Sequence, residues 1–140
     1  MIYVDTSVLV AMYVREGKSR AVDRWYSACT DDLVSSSWCV TEFASALGIK
    51  QRTGQIDESA ALVAWQQFER LCANDLQLLP VGTSTCHTAA ILTLDAGSSL
   101  RAGDALHLAA AHEAKAMSMA TLDATLAKNA KQNGIGVIKF

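Results

Sequence analysis

Proline occurs once in the 140 residues, at Pro80, which leaves no room for a proline-rich linker or a polyproline recognition segment. Cysteine is sparse and unpaired in pattern. Cys29, Cys39, Cys72 and Cys86 form no C-x-x-C, so the spacing supports neither a zinc ribbon nor a disulfide framework and fits free thiols in a reducing compartment. No run approaches the ~18 apolar residues of a membrane span. The apolar N-terminus has no basic leader and is interrupted by Asp5, which argues against a targeting segment. These features point to a soluble, cytoplasmic protein with no membrane association. Positive charge is also lacking. Twelve Lys and Arg against fourteen Asp and Glu leave a net charge of -2, with a pI near 5.8. A general basic footprint for nucleic acid is absent, and any polyanion has to be met by a local patch. The stretch Asp5–Val10 contains no glycine, against both the dinucleotide fingerprint and the phosphate-binding loop.

Hydrophobic residues make up 51% of the chain and charged residues 19%, enough apolar material for a single domain, 1–140, with one sizeable core. Ile2–Val4 reads as a short strand, Val8–Val14 as a buried helix stopped by Gly17, and Ser19–Cys29 as a helix. Leu33–Ser35 is a second strand, Val40–Arg52 a helix ended by Gly54, and Asp57–Ala73 a longer helix with Asp57 as its N-cap. Leu76–Val81 is a strand, Thr83–Ala96 and Ala105–Lys115 are helices, Met117–Thr121 is a strand, and Asp123–Gln132 is a helix stopped at Asn133-Gly134. Val137–Phe140 is the last strand. Strands alternate with helices and hairpin signals are missing. This predicts an α/β fold with a parallel sheet covered on both faces.

Four acids fall where a strand or polar turn hands over to a helix: Asp5, Glu42, Asp104 and Asp123. In an open parallel sheet these junctions gather at the carboxyl ends of the strands, where ligands bind. Acids also favour the first helical turn for dipole reasons alone, by about 0.3–1 kcal/mol. That accounts readily for Asp123, Asp104 and Glu42 singly. Asp5 is harder to explain as a cap, because Thr6 and Ser7 are both available beside it. Two carboxylates ~5 Å apart repel by about 3 kcal/mol at an effective dielectric of ~20, so such a cluster calls for a cation. Oxygen ligands select a hard one, Mg²⁺ or Mn²⁺, and a site of that kind suits phosphodiester hydrolysis.

The segments Ile2-Tyr3-Val4-Asp5-Thr6-Ser7, Ser37-Trp38-Cys39-Val40-Thr41-Glu42-Phe43-Ala44-Ser45-Ala46-Leu47, Arg101-Ala102-Gly103-Asp104-Ala105-Leu106-His107-Leu108-Ala109-Ala110-Ala111 and Thr121-Leu122-Asp123 together resemble the PIN-domain family, and within it the VapC-like toxin ribonucleases of toxin–antitoxin pairs. The resemblance covers essentially the whole chain. It implies a three-layer α/β/α fold with a five-stranded parallel sheet, and a Mg²⁺- or Mn²⁺-dependent endoribonuclease. Asp5, Glu42, Asp104 and Asp123 would form the acidic metal site, and Thr6 or Ser7 would hydrogen-bond a metal-bound water or the scissile phosphate. It further implies a homodimer, inhibited by a small antitoxin protein.

Other residues have plainer readings. His107, one turn after Asp104, is expected to be a core histidine satisfied by a neighbour, with a catalytic base as the alternative. Arg101 is expected to pair with an acid or to touch a phosphate. Arg15, Lys18, Arg20 and Arg24, with Lys50 and Arg52, form either an RNA path or a solvated face. Trp25, Tyr26, Trp38, Trp65 and Phe68 are expected mostly in the core, with an apolar antitoxin or dimer surface as the alternative for a few of them. Competing functions are a non-catalytic PIN-like module that binds RNA or protein, and a Mg-dependent phosphatase of the haloacid-dehalogenase type. The latter needs an aspartate where Ser7 stands.

Overall fold

Three consecutive apolar residues, Ile2–Val4, can bury both their faces only in the interior of a covered parallel sheet. The computed structural model, which describes all residues Met1–Phe140, places them there. This strand, β1 (Ile2–Val4), is central. It pairs in parallel with β2 (Leu33–Ser36) on one side and β4 (Ser118–Ala120) on the other. Outside them lie β3 (Leu76–Leu79) and β5 (Gly136–Val137), giving the order β3-β2-β1-β4-β5, parallel throughout. In register, Tyr3 stands between Val34 and Met119.

Side-chain alternation divides the interior into two cores. Ile2, Val4 and Leu33 pack with α1 (Thr6–Tyr13), α2 (Ser19–Ala28), α3 (Trp38–Arg52) and α4 (Glu58–Asn74). Tyr3, Val34 and Met119 face the other way, onto α5 (Thr83–Leu94), α6 (Ala102–Glu113) and α7 (Ala124–Gln132). The result is the expected three-layer α/β/α arrangement with a five-stranded parallel sheet. The first core centres on Phe43, stacked on Phe68 with centroids 4.2 Å apart. Trp25, Tyr26 and Trp65 border it, half-buried. The four cysteines are free thiols, and no helix is long and apolar enough to cross a membrane.

Element ends follow local chemistry. Asp57 caps α4, its carboxylate accepting from the Ala60 amide at 2.7 Å. Gly54 and Gly134, at φ +73° and +78°, take the left-handed conformation that ends α3 and α7. Several boundaries differ from those expected, and most of the shifts bear on the acids. Helix α1 starts at Thr6, not Val8, because Asp5 caps it. Helix α3 starts at Trp38, not Val40, which puts Glu42 one turn in, beyond the first turn where it was expected. Helix α6 starts at Ala102, with Asp104 inside its first turn. A short 3-10 turn, Ala96–Ser98, capped by Asp95, precedes it. Strand β5 covers Gly136–Val137 only, where Val137–Phe140 was expected.

Truncation of the fully buried Phe43 to alanine removes the stacked ring at the centre of the first core. It should cost about 3–5 kcal/mol of stability, against about 1 kcal/mol for Asp57→Ala at the α4 cap. Urea denaturation of the two variants checks the ranking, and comparable losses would contradict this picture of the core.

Candidate active site at the carboxyl edge of the sheet

Asp5 leaves β1 in extended conformation and becomes the N-cap of α1. This corrects the expectation that Thr6 and Ser7 made an aspartate cap redundant. Both hydroxyl residues are already inside the helix. Oδ2 of Asp5 accepts from the Ser7 amide at 3.3 Å, the Ser7 hydroxyl at 2.5 Å and the Thr121 hydroxyl at 2.9 Å. Oδ1 is left out of the cap and faces His107 Nε2 at 3.5 Å. The whole residue is 4% exposed. A carboxylate buried to this degree needs such donors, because loss of water is otherwise uncompensated.

Glu42 enters from α3. Its Oε2 accepts from the Thr6 hydroxyl at 2.7 Å and lies 2.5 Å from His107 Nε2. One side-chain atom each from Asp5, Glu42 and His107 falls within a 4.8 Å span. Asp104 and Asp123 line the same cleft, a hollow of about 650 Å³ that also reaches Trp38 and Lys50. A contiguous hollow of about 580 Å³ shares Trp38, Glu42, Asp104 and Asp123 and extends to Arg101. All four sequence-identified acids therefore meet at one rim. The larger hollow of about 690 Å³ lies at the opposite edge, where Asp32 and Asp75 precede β2 and β3. Its acids are exposed and no metal-competent group forms there.

Charge in the cleft is compensated unevenly. Burial alone would raise the Glu42 carboxyl. The hydrogen bond and charge of His107, with help from the Thr6 hydroxyl, outweigh it and hold Glu42 below its ordinary value. Burial alone would lower His107. The hydrogen bond to Glu42 and the charges of Asp5, Glu42 and Asp104 outweigh it and hold the imidazole above its ordinary value. Asp104 is compensated less, by the Arg101 backbone and the charge of His107. Burial, then the charges of Asp123 and Asp5, push its carboxyl up. Asp123 caps α7, with Oδ1 accepting from the Leu126 amide at 2.7 Å.

Thr6 and Ser7 direct their hydroxyl protons to Glu42 and Asp5, so in this arrangement they hold acids. Ser7 Oγ also accepts from the Leu122 amide at 2.9 Å, tying α1 to the loop after β4. Arg101 is exposed and makes no ion pair, so the expected pairing with an acid is not formed. Lys50 pairs with Glu16 at 2.6 Å and Arg15 with Asp23 at 3.1 Å. His107 is buried and satisfied as expected, but its satisfaction comes partly from the acids.

Three contributors were not singled out for the site from sequence. Thr121 bridges two acids, donating to Asp5 and accepting from the Asp123 amide at 3.0 Å. Trp38, assigned to the core, is half-buried along the cleft, and its indole Nε1 has no hydrogen-bond partner. Gly103 lies against Glu42. A Cβ there would come within 2.7 Å of Glu42 Oε1. A glycine in the first turn of a helix is a poor helix former, and that was the available signal.

The PIN domain family profile matches residues 2–132 of the chain. No curated protein matches it at the level of sequence. Solved structures do. VapC20 of Mycobacterium tuberculosis, a toxin that cleaves the sarcin-ricin loop, superimposes with a TM-score of 0.76 at 16% identity, over 92% of this chain and 95% of that one. FitAcB of Neisseria gonorrhoeae gives 0.72 at 20% identity, over 99% and 97%. A toxin–antitoxin complex from Klebsiella pneumoniae gives 0.64 at 14% identity, over 99% and 97%.

The raised Asp104 carboxyl fixes a sign. The folded chain holds a proton there more tightly than the unfolded chain, so ionised Asp104 lowers stability at neutral pH, and the penalty fades as pH falls toward its ordinary 3.8. In the metal-free protein Asp104→Asn should raise the melting temperature by a few degrees at pH 7 and by nearly nothing near pH 4. A variant that melts lower than the parent at pH 7 without metal would contradict the repulsion.

Proposed function

The chain belongs to the PIN-domain family, and from that premise we propose that it is a metal-dependent endoribonuclease, the toxin of a toxin–antitoxin pair, with residues 1–140 forming one nuclease domain that works in the cytoplasm. The observation that carries the reading is the convergence of Asp5, Glu42, Asp104 and Asp123 on one cleft.

The donor chemistry fits a hard divalent cation. The acids offer oxygen, Asp5 keeps Oδ1 outside its cap, and the charge of Asp104 is compensated less. Mg²⁺ or Mn²⁺ held by Asp5, Glu42, Asp104 and Asp123 would supply an activated water and neutralise phosphate charge. The residues of the chain do the rest. Ser7 and Thr121 fix the Asp5 carboxylate, and Thr6 fixes that of Glu42. Arg101, unpaired at the mouth of the cleft, would meet a backbone phosphate, whereas Lys50 at the other end is engaged by Glu16. Such a local cation suits RNA in a chain of net negative charge. A cognate small antitoxin and a homodimeric assembly complete the reading. The fold shared with a toxin–antitoxin complex supports the antitoxin, and the homodimer follows from the family resemblance alone.

The test is cleavage of generic single-stranded RNA. Mg²⁺ or Mn²⁺ should raise the melting temperature and support cleavage, and EDTA should abolish it. Asp5→Asn keeps a good helix cap and should lose at least about a hundredfold in rate. Cleavage that survives EDTA, or is undiminished in Asp5→Asn, would remove the metal mechanism. Metal-dependent stabilisation with no cleavage of any RNA would favour a non-catalytic binding module.

A further inference from the structure

His107 is 1% exposed, and its two ring nitrogens have different company. Nδ1 lies 2.8 Å from the Tyr3 hydroxyl. That phenol is itself pinned, buried to 0% exposure and accepting from the Ser36 amide at 3.1 Å. Nε2 lies 2.5 Å from Glu42 Oε2, 3.1 Å from Thr6 Oγ1 and 3.5 Å from Asp5 Oδ1. The proton on Nε2 can be placed by elimination. Thr6 gives its one hydroxyl proton to Glu42, so toward Nε2 it is an acceptor, as are both carboxylates. A bare Nε2 would face lone pairs alone. Nε2 therefore carries hydrogen and donates to Glu42.

The spacing also speaks against His107 as a ligand. Adjacent donors around an octahedral ion, each ~2.1 Å from the metal, sit roughly 3 Å apart. Nε2 and Glu42 Oε2 are closer than that, at 2.5 Å, and hold each other directly. Meanwhile Glu42 Oε1 lies over Gly103, where only a missing Cβ makes room. Glu42 is thus held at Oε2 by Thr6 and His107, while the absent Cβ of Gly103 leaves space for Oε1.

We propose that His107 is a positioning residue, anchored by the Tyr3 hydroxyl, whose Nε2–H sets Glu42 beside Asp5 so that the acidic site is assembled before a divalent cation arrives. The proposal rests on the nuclease reading above. Groups that orient a ligand in this way typically contribute 10–100-fold to metal affinity. Tyr3 gives the cleanest probe. Its hydroxyl touches His107 and the Ser36 amide, and none of its hydrogen bonds goes to an acid, so the imidazole is its direct link to the acids.

The experiment is calorimetric titration of Mn²⁺ and of Mg²⁺ into the parent, Tyr3→Phe, His107→Leu and His107→Gln, each checked for fold by circular dichroism. RNA cleavage is then measured across metal concentration. His107→Leu should weaken metal binding about tenfold or more, and Tyr3→Phe should weaken it several-fold. His107→Gln, whose amide keeps an N–H for Glu42, should stay near the parent. The kcat of His107→Leu should recover at saturating metal while KM for RNA holds, a pattern that mere loss of packing does not produce. Should His107→Leu fail to fold, Tyr3→Phe decides. Dissociation constants within twofold of the parent in folded His107→Leu and Tyr3→Phe would overturn the positioning role and leave the nuclease standing. A parent that neither binds these ions nor cleaves RNA would take the nuclease reading down, and this proposal with it.

Discussion

Asp5 and Glu42 carry like charge, and with His107 they crowd into a span of 4.8 Å at the end of the central strand. At ~5 Å in an effective dielectric of ~20, such a pair repels by about 3 kcal/mol, a large fraction of the stability of an ordinary domain. The neighbouring structure is organised to offset that repulsion. The N-terminus of α1 is directed at Asp5, the Ser7 and Thr121 hydroxyls donate to it, and the Thr6 hydroxyl and His107 serve Glu42. These donors come from β1–α1, from α6 and from the loop after β4. Only a sheet that places β1 between β2 and β4 brings them together.

A helix cap and a functional acid turn out to be compatible duties of one carboxylate, because it has two oxygens. Asp5 caps α1 through Oδ2 and keeps Oδ1 toward the cleft. Asp123 caps α7 through Oδ1, and no protein donor meets its other oxygen. The cap orients the side chain at no extra entropic cost, since the residue is ordered by the helix start in any case. Asp104 stands apart. It lies within the first turn of α6 rather than at its cap, and its carboxyl is pushed up by burial and by its acidic neighbours. The cleft thus has a compensated side, at Asp5 and Glu42, and a less compensated one at Asp104. The second is where an added positive charge would gain most.

The periodicity of the chain was readable because it is local. The apolar triplet in β1, the 3–4 spacing in α2 and α4, and the Gly54 and Gly134 stops all act over a few residues. Errors concentrated where the site intrudes on the rules. Helices α1, α3 and α6 each begin earlier than their apolar patterns suggest, because the residues at their starts serve the cleft. Trp38 read as core and lies along the cleft, and Tyr3 read as an ordinary strand residue although its hydroxyl anchors His107.

Sequence alone determined the alternation of strands and helices, the parallel sheet that follows from it, and the acids at the helix starts on one edge. Those are consequences of short-range backbone and burial preferences. Tertiary structure alone decided which oxygen of each acid is engaged, that Thr121 joins Asp5 to Asp123, and that His107 lies between Tyr3 and Glu42. Tyr3 and His107 are 104 positions apart, and Glu42 and His107 are 65 apart. Contacts at that separation depend on strand order and helix placement to within an ångström, because a hydrogen bond fails over a shift that leaves hydrophobic periodicity unchanged.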